Sequence, residues 1–71
     1  MPLVEVTMIE GRTPEQKSAL ITEVTDAVER TVSAPRHTIR VAIRELPAEN
    51  WAIGGRSIAE IRAERQDTDR G

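Results

Sequence analysis

The sequence predicts an α/β (α+β) domain: one β-α-β unit with parallel strands, closed by a short C-terminal β-hairpin. Three observations carry this. Residues Leu3 to Ile9 alternate from face to face, a capped amphipathic helix of about five turns follows, and Thr38 to Leu46 alternates again. Two strands joined through a single helix lie parallel, with a right-handed crossover.

In the first strand Val4, Val6 and Met8 share one face, and Leu3, Glu5, Thr7 and Ile9 share the other. Glu10-Gly11-Arg12 breaks the strand, with Gly11 as the turn residue. Thr13-Pro14-Glu15-Gln16 then starts a helix: Thr13 caps, Pro14 suits the first helical position and Gln16 completes a capping box. Leu20, Ile21, Val24, Ala27, Val28 and Thr31/Val32 form its apolar stripe. Lys17, Glu23, Asp26, Glu29 and Arg30 form its outer face, with Asp26 and Arg30 spaced as an i,i+4 pair.

Ser33-Ala34-Pro35 ends the helix. The second strand puts Ile39, Val41 and Ile43 on one face and Arg40, Ala42 and Arg44 on the other. Pro47 to Asn50 reads as a loop, and Trp51-Ala52-Ile53, Gly54-Gly55 and Arg56-Ser57-Ile58 as a hairpin on a glycine turn. A rival reading starts a helical turn at Ser57, with Glu60 closing a capping box. Residues 1–62 are expected as one domain and 63–71 as a polar tail, frayed from Gln66 to Gly71.

Composition narrows the function. At 71 residues a single core is marginal, and with no cysteine no disulfide or thiolate metal site can reinforce it, which leaves oligomerisation. The sheet face away from the helix mixes Leu3, Ile9 and Ala42 with Glu5, Thr7, Arg40 and Arg44, so a partner subunit is its simplest cover. A net charge of −2 argues against nucleic acid, and no apolar run suits a membrane span or signal peptide, so a cytoplasmic protein is expected. Lone His37, without a second histidine, makes no metal site, and no cofactor motif is present.

Arginine supplies nine of the ten cationic residues, the side chain suited to gripping carboxylates in two-pronged fashion. Arg12 lies just before a helix N-terminus, where anions are favoured; the plain alternative is a solvated loop arginine. Arg40 sits inside a short strand and needs either an anion or an intersubunit pair with Glu5 or Glu45. Trp51, the only aromatic residue, is a plug at a subunit contact, a wall that keeps water from a site, or both.

Pro2 stands directly behind Met1 and ahead of the first strand. As a strand starter it costs no ladder hydrogen bond. Removal of Met1 would also leave it as a free secondary amine, a base whose pKa burial and nearby cations would lower toward neutrality.

Pro2, Glu10-Gly11-Arg12-Thr13, Glu15-Gln16-Lys17, Ala34-Pro35, Ile39-Arg40-Val41, and Trp51 followed by Ile53-Gly54-Gly55 together resemble the 4-oxalocrotonate tautomerase (2-hydroxymuconate tautomerase) family, over residues 2 to 62. The resemblance implies the tautomerase fold, assembled as a trimer of dimers. It also implies cofactor-independent keto–enol 1,3-proton transfer on an unsaturated 2-oxo or 2-hydroxy diacid such as 2-hydroxymuconate. Pro2 would be general base and acid. Arg40 of a neighbouring subunit would hold the C1 carboxylate and 2-oxygen, and Arg12 of another the distal carboxylate. Trp51 would line the pocket where the family usually has phenylalanine, and the backbone of Ile9 would position a water. Ala52 and Ile53 stand where a dehalogenase–hydratase branch places its water-activating glutamate, which argues against that reaction; Glu49 is nearby. Two alternatives to the tautomerase are another enol, hydration or decarboxylation step on the same scaffold, and a non-catalytic oligomer subunit.

Overall fold

Burial follows the alternation of the first strand in the computed structural model, which describes residues 1–70 and side chains as far as Gln66. In β1 (Leu3–Ile9), Val4, Val6 and Met8 are half-buried, while Leu3, Glu5 and Thr7 are exposed. Strand β2 (Arg40–Leu46) repeats the pattern, with Val41 and Ile43 half-buried and Arg40, Ala42 and Arg44 exposed. The two pair in parallel, Leu3 opposite Arg40 through Ile9 opposite Leu46. One further bond extends the ladder at each end: Arg40 N–H donates to the Pro2 carbonyl at 2.9 Å, and Glu10 N–H to the Leu46 carbonyl at 2.8 Å.

Helix α1 (Pro14–Val32) begins as its sequence dictates. Gln16 N–H donates to Thr13 Oγ1 at 3.1 Å and Thr13 N–H to Gln16 Oε1 at 2.9 Å, so two orphan donors are satisfied reciprocally. Leu20, Val24, Ala27 and Val28 turn inward, half-buried. Ile21 and Val32, assigned by spacing to the same stripe, remain 40% and 62% exposed, because a sheet of two strands is too narrow to cover the flanks of the helix above it. Lys17, expected on the outer face, instead lies in register with Leu20 and Val24 and reaches Glu45 at 2.8 Å.

The helix ends at Ser33, which takes the left-handed conformation at φ 56°. That region costs an L-residue with a Cβ roughly 1–2 kcal/mol. Ser33→Gly is therefore expected to raise stability by about 0.5–1 kcal/mol, read as a higher urea midpoint at fixed protein concentration; an unchanged midpoint would refute the strain.

A 3-10 turn over Arg36–Thr38 follows, so the second strand starts two residues later than its alternation predicts. The cause is local: Thr38 N–H and Oγ1 both donate to the Pro35 carbonyl, and Ile39 N–H to Arg36. Arg36 swings back to Asp26 at 2.7 Å and Glu29 at 3.2 Å, so Asp26 pairs across the turn with Arg36 rather than along the helix with Arg30.

After β2 a second 3-10 turn (Ala48–Asn50) leads to the hairpin β3 (Ala52–Ile53) and β4 (Arg56–Ser57). Gly54 and Gly55 both take positive φ, 61° and 86°, as a tight primed turn requires. The rival reading at Ser57 holds as well, since the hairpin runs directly into helix α2 (Ile58–Arg70). Glu60 N–H donates to Ser57 Oγ, and Ser57 Oγ and N–H both donate to Glu60 Oε1. The polar stretch from residue 63, expected as a tail fraying from Gln66, continues this helix through Arg70; Gly71 lies outside the described residues. Strong helix formers such as Ala63, Glu64, Arg65 and Gln66 propagate a turn already nucleated by the box.

No described residue is fully buried. The accessible surface is 5413 Å², against about 4,400 Å² for a compact monomer of this mass. Leu3 on the open sheet face and Ile53 in the hairpin are 57% and 61% exposed.

Candidate active site

Pro2 is set at the head of β1, half-buried, its carbonyl tied to Arg40 N–H. The imino-acid ring and this bond hold the nitrogen in one place relative to β2. Met1 ahead of it is 86% exposed, open to hydrolytic removal. While Met1 is attached, the Pro2 nitrogen is an amide without a basic lone pair; once freed, it is a secondary amine on a rigid support.

Arg40 shares this end of the sheet. Its Nη1 donates to the His37 carbonyl at 3.1 Å, folding the side chain over the Arg36–Thr38 turn. No carboxylate among the described residues pairs with it, and its guanidinium rests on a carbonyl dipole and solvent. Glu45, one of the two carboxylates considered for it, takes Lys17 within the chain at 2.8 Å.

Arg12 and Ile9 lie together at the opposite end. Gly11, at φ 132°, turns the chain sharply enough for Arg12 Nη1 to donate to the Ile9 carbonyl at 3.3 Å. Arg12 immediately precedes Thr13, the N-cap of α1, so its guanidinium and the helix N-terminus present positive potential on the same side. The Ile9 carbonyl accepts this bond with one of its two lone pairs.

Length decides what one chain can do. Strand rise separates the Pro2–Arg40 end from the Ile9–Arg12 end by about 20 Å, whereas a six-carbon diacid spans about 6 Å. No single chain grips one such molecule with Pro2 and Arg12 together. Consistent with this, no cavity forms among the described residues, and none of their side chains cluster as a metal site. No described helix is long and apolar enough to cross a membrane.

Trp51 is half-buried after the Ala48–Asn50 turn, five residues beyond Leu46, the partner of Ile9. Its carbonyl accepts from Ile58 N–H at 2.7 Å, stitching it to the first residue of α2. A contact not anticipated from sequence lies just behind. Both terminal nitrogens of Arg56 donate to the two carboxylate oxygens of Glu64, Nη1 to Oε2 at 2.7 Å and Nη2 to Oε1. These hydrogen bonds hold the Glu64 carboxyl below the ordinary glutamate range. The pair is thus complete above that range and is lost as pH falls through the lowered pKa. A signal for it exists in retrospect: Glu60 and Glu64 are i,i+4 on a helix whose start the Ser57 box fixes, which aims Glu64 back over β4.

Comparison with known proteins identifies the fold's relatives. Residues 2–61 match the family model described as tautomerase enzyme. The 2-hydroxymuconate tautomerase of Comamonas testosteroni is 46% identical over 61 residues, covering 86% of this chain and 97% of that protein. The solved structure of TomN, a 4-oxalocrotonate tautomerase homologue in the tomaymycin biosynthetic pathway, superposes with a TM-score of 0.85 at 45% identity, over 87% of this chain and 95% of that one. A heterohexameric 4-oxalocrotonate tautomerase from Chloroflexus aurantiacus J-10-fl superposes with a TM-score of 0.83 at 39% identity, over 87% of this chain and all of the other. With the parallel β-α-β unit and the hairpin in place, the chain belongs to the tautomerase family of enzymes.

Proposed function

We propose that the protein is a cofactor-independent keto–enol tautomerase acting on an unsaturated 2-hydroxy diacid such as 2-hydroxymuconate, with the freed Pro2 amine as base and acid. The observation that carries this is the division of one cationic, amine-bearing site between the two ends of one strand. Antiparallel, two-fold pairing of sheet edges brings the Pro2 end of one copy beside the Arg12 end of another. Stacking three such pairs covers the open face of Leu3, Glu5, Thr7, Arg40, Ala42 and Arg44. The result is a homohexamer; the Chloroflexus relative, built of unlike chains, supports the sixfold count.

In the assembled site the Pro2 nitrogen takes the proton from the 2-hydroxyl of the dienol. The electron pair moves through the conjugated chain, and the resulting ammonium returns a proton at C5, giving the 2-oxo-3-enoate. One group alternates between base and acid, so no second acid is needed. Arg40 of a neighbouring subunit binds the C1 carboxylate and the 2-oxygen, where negative charge grows in the dienolate. Arg12 of another copy binds the distal carboxylate and sets the position of C5 over the amine. Trp51 lines the pocket and excludes water, which holds the amine's pKa down. Residues 1–62 carry this machinery.

The test is the ultraviolet absorbance decay of 2-hydroxymuconate with protein whose Met1 is shown absent by intact mass. Fast decay is expected, with kcat/KM rising with pH as the amine loses its proton. No decay by folded protein with a free Pro2 would sink the reading. Turnover of a different enol, with 2-hydroxymuconate left untouched, would shift it to the alternative suggested by TomN and by the bulk of Trp51: the same proton transfer on another substrate, in a biosynthetic setting.

A further inference from the structure

Helix α2 runs on to Arg70, whereas the family match ends at residue 61. The first residue beyond that match with a defined job is Glu64, which grips Arg56 with both oxygens. Arg56 belongs to β4, one strand of a hairpin only two residues deep on each side. A hairpin so short has little stability of its own. Its partner strand β3 starts at Ala52, directly after Trp51, with Ala52 opposite Ser57 and Ile53 opposite Arg56.

Three connections tie this hairpin to α2. The Ser57–Glu60 box fixes where the helix starts. Ile58 N–H holds the Trp51 carbonyl. The Arg56–Glu64 fork spans two turns of helix and fixes the angle at which β4 leaves it. An isolated exposed ion pair contributes little to stability. A planar two-pronged pair adds direction, however, and direction is what a two-residue strand lacks.

We propose that Arg56 and Glu64 are positioning residues, a brace by which the extended α2 sets the hairpin and so the placement of Trp51 at the site. The proposal rests on the tautomerase reading for its effect on catalysis, and on geometry alone for its effect on Trp51. The brace touches no reacting atom, so at a pH where the amine is already deprotonated it alters how well substrate is held more than how fast the bound substrate reacts.

The experiment uses the full chain with Glu64→Ala, an exposed helical position where alanine preserves the helix. The charge-swapped double variant Arg56→Glu/Glu64→Arg is made beside it. Trp51 is the only tryptophan, so acrylamide quenching of its fluorescence reads the hairpin directly. Glu64→Ala is expected to raise the quenching constant about twofold. It is also expected to raise KM for 2-hydroxymuconate about 3- to 10-fold with kcat within about twofold of the parent, and the swap should return both toward parental values. Unchanged quenching and KM in Glu64→Ala would overturn the brace, as would a swap no better than the single variant. If the parent turns over no enol, the tautomerase reading fails by itself, and the quenching comparison still decides the brace.

Discussion

A chain that keeps Met1 is expected to lose about 10²–10⁴-fold in tautomerase kcat/KM, the contribution of a well-placed general base. The physical reason is that acylation removes the nitrogen lone pair. The amide nitrogen of Met1–Pro2 cannot accept a proton near neutral pH. Arg40, the neighbour across the strand, is a permanent cation, and the Glu5 carboxylate is displaced along the strand. Synthetic protein with Met1 retained, checked by intact mass and compared with the Pro2-terminal form at equal oligomeric state, isolates this one bond. Pro2→Ala in the processed chain keeps an amine, though a primary one free to rotate, and should retain part of the activity. Full activity with Met1 attached would remove Pro2 from the mechanism.

The second large effect divides the two arginines. Arg40→Ala should lower kcat by about 10²–10³-fold, because its charge is used where the dienolate oxygen becomes negative. Arg12→Ala should act mainly on KM, by about 10- to 100-fold, because the distal carboxylate carries the same charge before, during and after the reaction. A mixing experiment follows from the spacing of β1. Met1-retained chains and Arg12→Ala chains are each impaired, but in a mixed pair one site receives a free Pro2 and an intact Arg12. Unfolding and refolding them together at equal ratio should restore about one quarter of parental activity at low substrate, the share of correct sites under random pairing. Restoration to no more than the sum of the separate proteins would mean that Pro2 and Arg12 do not meet across a subunit boundary. If Arg12→Ala and Arg40→Ala instead changed kcat and KM alike, the assignment of separate roles would fall.

Both effects follow from features already legible in the chain. The β1 alternation, the Thr13–Gln16 box, the stripe of Leu20, Val24, Ala27 and Val28, and the Gly54-Gly55 turn are local patterns. Their geometry is set by periods of two and 3.6 residues and by backbone freedom at glycine, so reading them requires no knowledge of the neighbours. Pro2, Arg12, Arg40 and Trp51 stood out in the same way, by being rare in kind or oddly placed in their elements.

What the tertiary structure decided is how charges pair over distance. Lys17 looked solvent-facing by its type, yet the packing angle of α1 on β2 carries it to Glu45. Asp26 had a partner available at Arg30, but the Arg36–Thr38 turn presents Arg36 to both Asp26 and Glu29, and two acceptors outbid one helical neighbour. That same turn shortened β2. The polar end looked unstructured because its composition lacks an apolar stripe; capping at Ser57 and the clasp of Arg56 on Glu64 organise it instead. The separation of Pro2 from Arg12 was written in the length of β1, but its consequence needed the structure. Hydrophobic periodicity is a property of one segment, whereas ion pairing and site assembly depend on where segments meet, and only the folded chain determines that.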